Sequence, residues 1–260
     1  MSATKLSVNI NKIALLRNSR GRNFPDVRAF SERCLDLGAG GITLHPRPDQ
    51  RHARYSDVRE LKTLCVARVA ELNVEGYPTP EFMAVVLEAK PDQCTLVPDA
   101  PGQLTSDHGW RILENETFLR EVLGDLKSAG IRSSIFIDHD SDEMELARAV
   151  GADRVELYTE PYAVAFKAGQ KAGQDAGPNT ATLTETLQAF REGAERARRA
   201  GLGVNAGHDL SLLNLGNFLA GCPVDEVSIG HALIVECLEQ GLEKVIPSYL
   251  DVIHKAHPRA

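Results

Sequence analysis

Residues 202–210 read LGVNAGHDL, an apolar run that changes abruptly into polar residues at its end. Such a run is typical of a buried β-strand, and it places His208 where the strand ends. Three further runs end in the same way: GITLHPR at 41–47, LNVEG at 72–76 and VSIGH at 227–231. Because the carboxyl ends of parallel strands meet at one edge of a sheet, these endings predict one convergent site of the kind found in enzymes.

Short β-like runs alternate with helical patterns along the whole chain. The runs lie near residues 5–10, 40–45, 69–75, 93–98, 132–138, 154–159, 202–206 and 226–230. Glycines that can end a helix in a left-handed conformation precede several of these runs, namely Gly38, Gly130, Gly151 and Gly201. We therefore expect a closed (β/α)8 TIM barrel with extra helices or loop insertions, formed as a single domain by residues 1–260. An open doubly wound sheet is the second possibility, but neither a GxGxxG after the first strand nor a Walker A motif is found.

The interval between the sixth and seventh runs carries the clearest helical pattern. Apolar residues from Leu183 to Ala197 share one helix face, and Thr182 with Glu185 predicts a capping box at the start of this helix. Residues 167–179 are rich in Gly, Gln and Lys, and we expect them to form a surface insertion. This segment is too short to separate two domains.

Composition narrows the class of protein. The 260 residues are 43% hydrophobic and 25% charged, and no run approaches the roughly 18 apolar residues of a membrane span. Without a signal-peptide core near the N-terminus, we expect a cytoplasmic protein with no membrane partner. A net charge of −7 gives no general reason to bind nucleic acid, although a local basic pocket for a small phosphate is compatible with it. The five cysteines are scattered, so we expect reduced and mostly buried thiols.

Seven blocks, in their order and spacing, carry a resemblance over almost the whole chain. They are VNINKIALLRNSRG at 8–21, GITLHPRPDQRH at 41–52, LNVEG at 72–76, LVPD at 96–99, SIFID at 134–138, VNAGHDL at 204–210 and SIGHALI at 228–234. Together they resemble the pyridoxine 5'-phosphate synthase family. The resemblance implies a barrel enzyme that condenses 1-deoxy-D-xylulose 5-phosphate with 3-amino-2-oxopropyl phosphate, without cofactor or metal. It also implies a homo-oligomer in which dimers assemble into an octamer.

The resemblance further implies four catalytic positions. His45 and Glu75 match residues that accept protons, and His208 matches a residue that donates one. Glu156 matches a residue that stabilises charge in the transition state. A histidine can serve either role near neutral pH because its ordinary pKa is about 6.5. For any one of these residues alone, the alternative is that it merely caps a loop.

Two anion sites follow from the same resemblance, one for each phosphorylated substrate. Arg47, His52 and Thr105 match the contacts of deoxyxylulose phosphate, although a solvated surface charge is the alternative interpretation of Arg47. The contacts of the aminoketone phosphate match Asn9, Arg20, the backbone at Asp209, and the pair Gly230 and His231. A helix that begins near Ala232 is expected to direct its N-terminal amides at this second anion.

The chain departs from a well-known form of the family at two places. Asn11 and Lys12 stand where that form has Asp and His, and Asp209 stands where it has Gly. We expect Asn11 and Lys12 to bind substrate, with Lys12 supplying a hydrogen bond or positive charge rather than shuttling protons. A Schiff base at Lys12 is the less favoured alternative. Asp209 weakens anion binding unless its carboxylate points away.

Two other functions remain open from the sequence. The first is a metal-dependent hydrolase or isomerase on the same barrel, with His45, Glu75, Asp138 and His208 as ligands. The second is a non-catalytic barrel that binds a phosphorylated ligand. His108, in the sequence TSDHGW, is expected on a loop over the site.

Overall fold

A computed structural model describes residues 4–99, 102–103, 105–172 and 179–256. Its strands form a closed barrel in the order β1 to β8, and every neighbouring pair is parallel. The strands are β1 (Lys5–Asn9), β2 (Gly41–Leu44), β3 (Glu71–Gly76), β4 (Gln93–Leu96), β5 (Arg132–Ile137), β6 (Arg154–Tyr158), β7 (Gly203–Gly207) and β8 (Glu226–Ile229). The predicted (β/α)8 barrel is confirmed, and the open sheet is excluded.

Helices cover the outside of the barrel, and the segments that follow β1, β6 and β8 each carry two of them. The helices are α1 (Asn11–Asn18), α2 (Val27–Asp36), α3 (Tyr55–Arg68), α4 (Pro80–Ala89), α5 (Glu116–Ser128), α6 (Met144–Val150), α7 (Glu160–Ala172), α8 (Asn179–Arg199), α9 (Leu215–Gly221), α10 (His231–Gln240) and α11 (Leu242–Ala256), with a 3-10 turn at Leu113–Asn115. The glycines expected at helix ends all have positive φ, namely Gly38, Gly130, Gly151 and Gly201.

Two predictions about the interval after β6 are wrong. Helix α8 begins at Asn179, so Thr182 lies inside the helix, where its carbonyl accepts a hydrogen bond from Thr186 Oγ1 at 2.7 Å. The start was missed because the residues before Leu183 carry no apolar face. Residues 167–172 belong to α7 rather than to an insertion, because their Ala, Gln and Lys residues favour a helix despite Gly169. Residues 173–178 lie outside the described part.

The inside of the barrel is lined by polar side chains. Alternate strand positions point inward, and Ser7, Thr43, Asn73 and Thr95 all occupy such positions in adjacent strands. Ser7 Oγ lies 2.6 Å from Thr43 Oγ1, and Thr95 Oγ1 donates to Asn73 Oδ1 at 3.0 Å. The other strand positions supply the apolar core that packs against the helices. The inward-facing positions are therefore polar up to the carboxyl edge of the barrel.

The cysteines match their prediction. Cys34, Cys65, Cys94 and Cys222 are buried as free thiols, and Cys237 is half-buried. Burial raises the pKa of Cys34, Cys65 and Cys222 to about 12, so these thiols are protonated and unreactive at neutral pH. Over the described ranges, no helix has the length and apolar character needed to cross a membrane.

Candidate active site

Glu75 is the central acidic group at the carboxyl edge of the barrel. It lies on β3 with only 7% of its surface exposed. Asn9 Nδ2, at the end of β1, donates to Glu75 Oε2 at 3.3 Å, and Ser228 Oγ on β8 lies 3.5 Å from Oε1. Burial, reinforced by the negative charge of Asp99, raises the pKa of Glu75 to about 7. Glu75 can therefore exchange a proton near neutral pH.

Glu156 is a second buried carboxyl group, on β6. Its Oε1 fits against Gly207, where a Cβ would lie only 2.3 Å away, so a side chain at this position of β7 would displace the Glu156 carboxyl group. Its Oε2 has no hydrogen-bond partner among the described residues. Burial, followed by the charge of Glu75, raises the pKa of Glu156 well above its ordinary value. A carboxyl group that keeps its proton can donate a hydrogen bond to a developing negative charge.

His45 follows β2 and is 6% exposed. Its backbone N–H donates to Asn11 Oδ1 at 2.9 Å, and the Asn11 N–H donates to Asn9 Oδ1 at 3.1 Å. These contacts tie His45 to the residue that contacts Glu75. Burial, followed by the positive charge of Arg47, lowers the pKa of His45 well below its ordinary value. The imidazole is therefore neutral at pH 7 and able to accept a proton.

His208 follows β7 in a left-handed conformation, with φ of 83°. Thr159 Oγ1 donates to the Gly207 carbonyl at 2.6 Å, which supports this unusual turn. The imidazole lies between two rings, with centroid distances of 5.1 Å to Phe136 and 5.4 Å to Tyr158. Burial lowers the pKa of His208, although the nearby Asp209 charge opposes this shift. The ring is held in place, but it is mostly neutral at pH 7.

Arg47 supplies the buried positive charge of the site. It is 6% exposed, which rules out a solvated surface charge, and it pairs with the equally buried Asp99. His52 lies beside this group, with its ring centroid 6.2 Å from that of His45. Burial, followed by the Arg47 charge, lowers the pKa of His52 to about 4. The guanidinium of Arg47 and the neutral imidazole of His52 therefore both lie beside the space above β2.

A cavity of about 220 Å³ opens at this end of the barrel. Its lining includes His45, Arg47, Asp99, Tyr77 and Phe82. The lining thus combines aromatic and apolar groups with the charged pair. Such a mixed lining suits a small ligand with an anionic group.

The second expected anion site is partly formed around Asn9. A Cβ added to Gly230 would lie 3.1 Å from Asn9 Cβ and 3.3 Å from its carbonyl oxygen, so any side chain at this position would press against Asn9. Helix α10 begins at His231, one residue before the expected Ala232. Its first N–H groups are available to an anion at the barrel edge.

Five of the predicted residues are exposed. Lys12 lies in the first turn of α1, and its charge contributes to lowering the pKa of His52. Asp209 has φ of 56°, and its carbonyl accepts a hydrogen bond from Asn214 Nδ2 at 3.0 Å. The remaining three are Arg20, Thr105 and His231. The described contacts do not join these five side chains to Glu75 or Glu156, and their roles remain predictions.

Sequence reasoning missed two buried acids. Asp99 lies beside Arg47 and follows β4, so the strand-end pattern could have identified it. Glu226 begins β8, and burial raises its pKa. The sequence indicates Glu226 only through its inward-facing position in β8, because an acid at the start of a strand does not by itself suggest a catalytic role.

The other histidines make no described contact with Glu75, Glu156 or His45. His139 stacks on Phe190 of α8, with ring centroids 3.9 Å apart. His108 is exposed and pairs with Asp107, and His254 is exposed, while His257 lies outside the described part. Where the structure describes the chain, no three His, Cys, Asp or Glu side chains are grouped to hold a metal ion. The alternative with Asp138 as a metal ligand therefore finds no support in the geometry.

Comparison with solved structures supports the barrel. Thiamine phosphate pyrophosphorylase from Pyrococcus furiosus has a TM-score of 0.60 and 14% identity, covering 98% of this chain and 97% of that chain. Phosphoribosyl anthranilate isomerase from Thermus thermophilus has a TM-score of 0.54 and 11% identity, covering 96% of this chain and 100% of that chain. At these identities the likeness shows the fold alone.

Sequence relatives are much more specific. A protein from Bacteroides fragilis (strain YCH46) named pyridoxine 5'-phosphate synthase is 52% identical over 247 residues, which cover 95% of this chain and 98% of the relative. A protein of the same name from Xanthomonas oryzae pv. oryzae (strain PXO99A) is 49% identical over 259 residues, covering 96% of each. Residues 6–255 match the family model described as "Pyridoxal phosphate biosynthesis protein PdxJ". The chain belongs to the PdxJ family.

Proposed function

We propose that this chain is a pyridoxine 5'-phosphate synthase. In this reaction 1-deoxy-D-xylulose 5-phosphate and 3-amino-2-oxopropyl phosphate condense to pyridoxine 5'-phosphate, releasing inorganic phosphate and water. The steps are addition of an amine to a ketone, proton transfers, dehydrations and elimination of phosphate. The observation that carries the proposal is the placement of Glu75, buried beside Asn9 with a pKa of about 7, within a chain of contacts to the neutral His45.

The proposed roles follow from the protonation states. His45 is neutral and accepts protons, and Glu75 accepts a proton when it is ionised. Glu156 keeps its proton and stabilises negative charge by donating a hydrogen bond. His208 donates a proton, for which it must first be protonated. A bound phosphate favours that form because an anion near an imidazole raises its pKa.

The substrates are small phosphorylated molecules, and we propose two sites for them. Deoxyxylulose phosphate binds at Arg47, His52 and Thr105, next to the cavity above β2. The aminoketone phosphate binds at Asn9, Arg20, the Asp209 backbone, Gly230 and His231. Asn11 and Lys12 contribute contacts between them, with Lys12 as a charge and hydrogen-bond donor.

We also propose that the chain works in the cytoplasm, as a single barrel domain, within an oligomer built from dimers. The basis for the oligomer is the resemblance to the pyridoxine 5'-phosphate synthase family. Sedimentation equilibrium should give a mass that is a multiple of the 28.3 kDa chain. A single species of one chain's mass would contradict the assembly.

The direct test is to incubate the purified protein with both substrates and to identify the product by mass spectrometry. We expect pyridoxine 5'-phosphate to form only when both substrates are present. Prior treatment with a metal chelator should leave the rate unchanged, whereas a metal-dependent hydrolase or isomerase would lose its activity. Binding of deoxyxylulose phosphate without product would favour the non-catalytic barrel instead.

A further inference from the structure

Asp99 is a buried carboxylate with an unusual set of neighbours. It is 5% exposed, and its Oδ2 accepts a hydrogen bond from Ser106 Oγ at 2.9 Å and pairs with the guanidinium of Arg47. Its Oδ1 has no hydrogen-bond partner in the described part of the chain. Burying a carboxylate is costly unless it is paired, so the Arg47 contact must be a main source of its stability.

The two partners of Asp99 belong to the same proposed phosphate site. Arg47 itself is a proposed contact of deoxyxylulose phosphate, and Ser106 is the neighbour of Thr105, another such contact. Arg47 follows β2, whereas Ser106 lies in the segment after β4. One carboxylate therefore joins two chain segments that have to act on one anion.

A second contact joins the same two segments. A guanidinium nitrogen of Arg51 donates to the Gln103 carbonyl at 2.5 Å. The Gln103 side chain in turn donates to the Thr105 carbonyl at 2.8 Å. The position of Thr105 is thus fixed relative to the segment that carries Arg47, on one side by Gln103 and on the other through Ser106 and Asp99.

We propose that Asp99 is a positioning residue that assembles the deoxyxylulose phosphate site by holding Arg47 and the Thr105–Ser106 segment together. The inference rests on the proposed function, because it assigns this site to that substrate. Asp99 acts through Arg47 and does not contact the phosphate, since two anions repel each other. If Asp99 had no positioning role, its charge would only weaken phosphate binding, and removing the carboxylate would strengthen it. The two accounts therefore predict effects of opposite sign.

The test compares Asp99→Ala, Asp99→Asn, Asp99→Glu and Ser106→Ala by calorimetric titration with each substrate alone. We expect Asp99→Ala to weaken deoxyxylulose phosphate by about 10-fold or more, as misplacement of a binding group does. Asp99→Asn should weaken it less, because its amide oxygen still accepts a hydrogen bond, and Asp99→Glu should restore part of the loss. The aminoketone should change by less than about twofold in every variant. Steady-state rates should show a raised KM for deoxyxylulose phosphate with a smaller change in kcat.

Glu114→Gln is the matched control. Glu114 is an exposed acid further along the same segment after β4, and it pairs with Arg111 rather than with Arg47. The substitution removes one negative charge from that segment and should change binding by less than about twofold. A double-mutant cycle adds a sharper comparison, because Asp99→Asn should have little further effect once Arg47→Met has removed its partner.

Three results would overturn the proposal: tighter binding of deoxyxylulose phosphate by both Asp99→Ala and Asp99→Asn, equal weakening of both substrates, or full additivity with Arg47→Met. Thermal unfolding identifies a variant that does not fold, and Asp99→Asn and Ser106→Ala then decide the question. A wild-type protein that makes no product contradicts the proposed function separately. In that case titration with inorganic phosphate decides the positioning role, and phosphate binding that does not depend on Arg47 and Asp99 overturns it.

Discussion

Replacing Glu75 with Gln should lower the activity of the protein and raise the stability of its fold at alkaline pH. The two side chains have the same shape, and the amide oxygen of Gln can still accept the hydrogen bond from Asn9 Nδ2, which spans 3.3 Å in the wild type. The variant loses a proton acceptor, which typically contributes about 10²- to 10⁴-fold to a rate. We therefore expect kcat to fall by about 100-fold or more, while the aminoketone binds as before. Residual activity should also lose the rise with pH that wild-type Glu75 produces near its pKa of about 7.

The same substitution should stabilise the fold at alkaline pH. The pKa of Glu75 is raised from 4.5 to about 7, so the folded protein binds this proton more tightly than the unfolded chain does. The contribution of Glu75 to wild-type stability therefore falls by about 3 kcal/mol as pH rises from about 4.5 to about 7. Glu75→Gln lacks this ionisation, and its advantage in the free energy of unfolding should grow across that range and be absent below it.

Urea unfolding at about pH 5 and about pH 8, followed by circular dichroism, measures this difference. Initial rates at saturating substrates across the same pH range measure the activity. A variant with kcat within a few-fold of the wild type would remove Glu75 from the mechanism. An advantage in stability that is equal at both pH values would refute the raised pKa.

Five further substitutions, at four residues, test other parts of the site. His208→Ala should lower kcat by about 100-fold with unchanged circular dichroism, and a change of only a few-fold would exclude its role as proton donor. Arg47→Ala should raise the dissociation constant of deoxyxylulose phosphate much more than that of the aminoketone, and equal effects in titrations would contradict the site assignment. Lys12→Arg should keep substantial activity while Lys12→Met loses binding; a borohydride-trapped adduct at Lys12 would indicate a Schiff base instead. Gly230→Ala should displace Asn9, only 3.1 Å from the new Cβ, and weaken the aminoketone selectively; unaltered aminoketone binding would refute this packing argument.

Much of the site could be predicted because barrel strands obey a simple alternation. His45 and His208 each follow the last residue of a strand, and Glu75 is the penultimate residue of β3, so apolar runs with polar endings identify them. Glu156 is harder to recognise, because it lies in the middle of β6 with apolar neighbours. Its catalytic interpretation depended on the family resemblance rather than on the local pattern.

Other features depend on contacts that no local pattern records. The Arg47–Asp99 pair joins residues 52 positions apart, in loops whose approach is set only by closure of the barrel. The start of α8 was missed for a different reason, since residues 179–182 extend a helix without adding to its apolar face. The lowered pKa of His208 follows from its burial against Phe136 and Tyr158, which sequence spacing does not reveal.

The measurement that tests the central claim most directly is a paired time course of pyridoxine 5'-phosphate and inorganic phosphate from the two substrates. Wild-type protein should form the two products in equal amounts, and Glu75→Gln should slow both to the same degree. The proposed reaction requires this equality, because each ring closure eliminates one phosphate. Phosphate released without pyridoxine 5'-phosphate, or from either substrate alone, would contradict the account and indicate a phosphate-ester hydrolase instead.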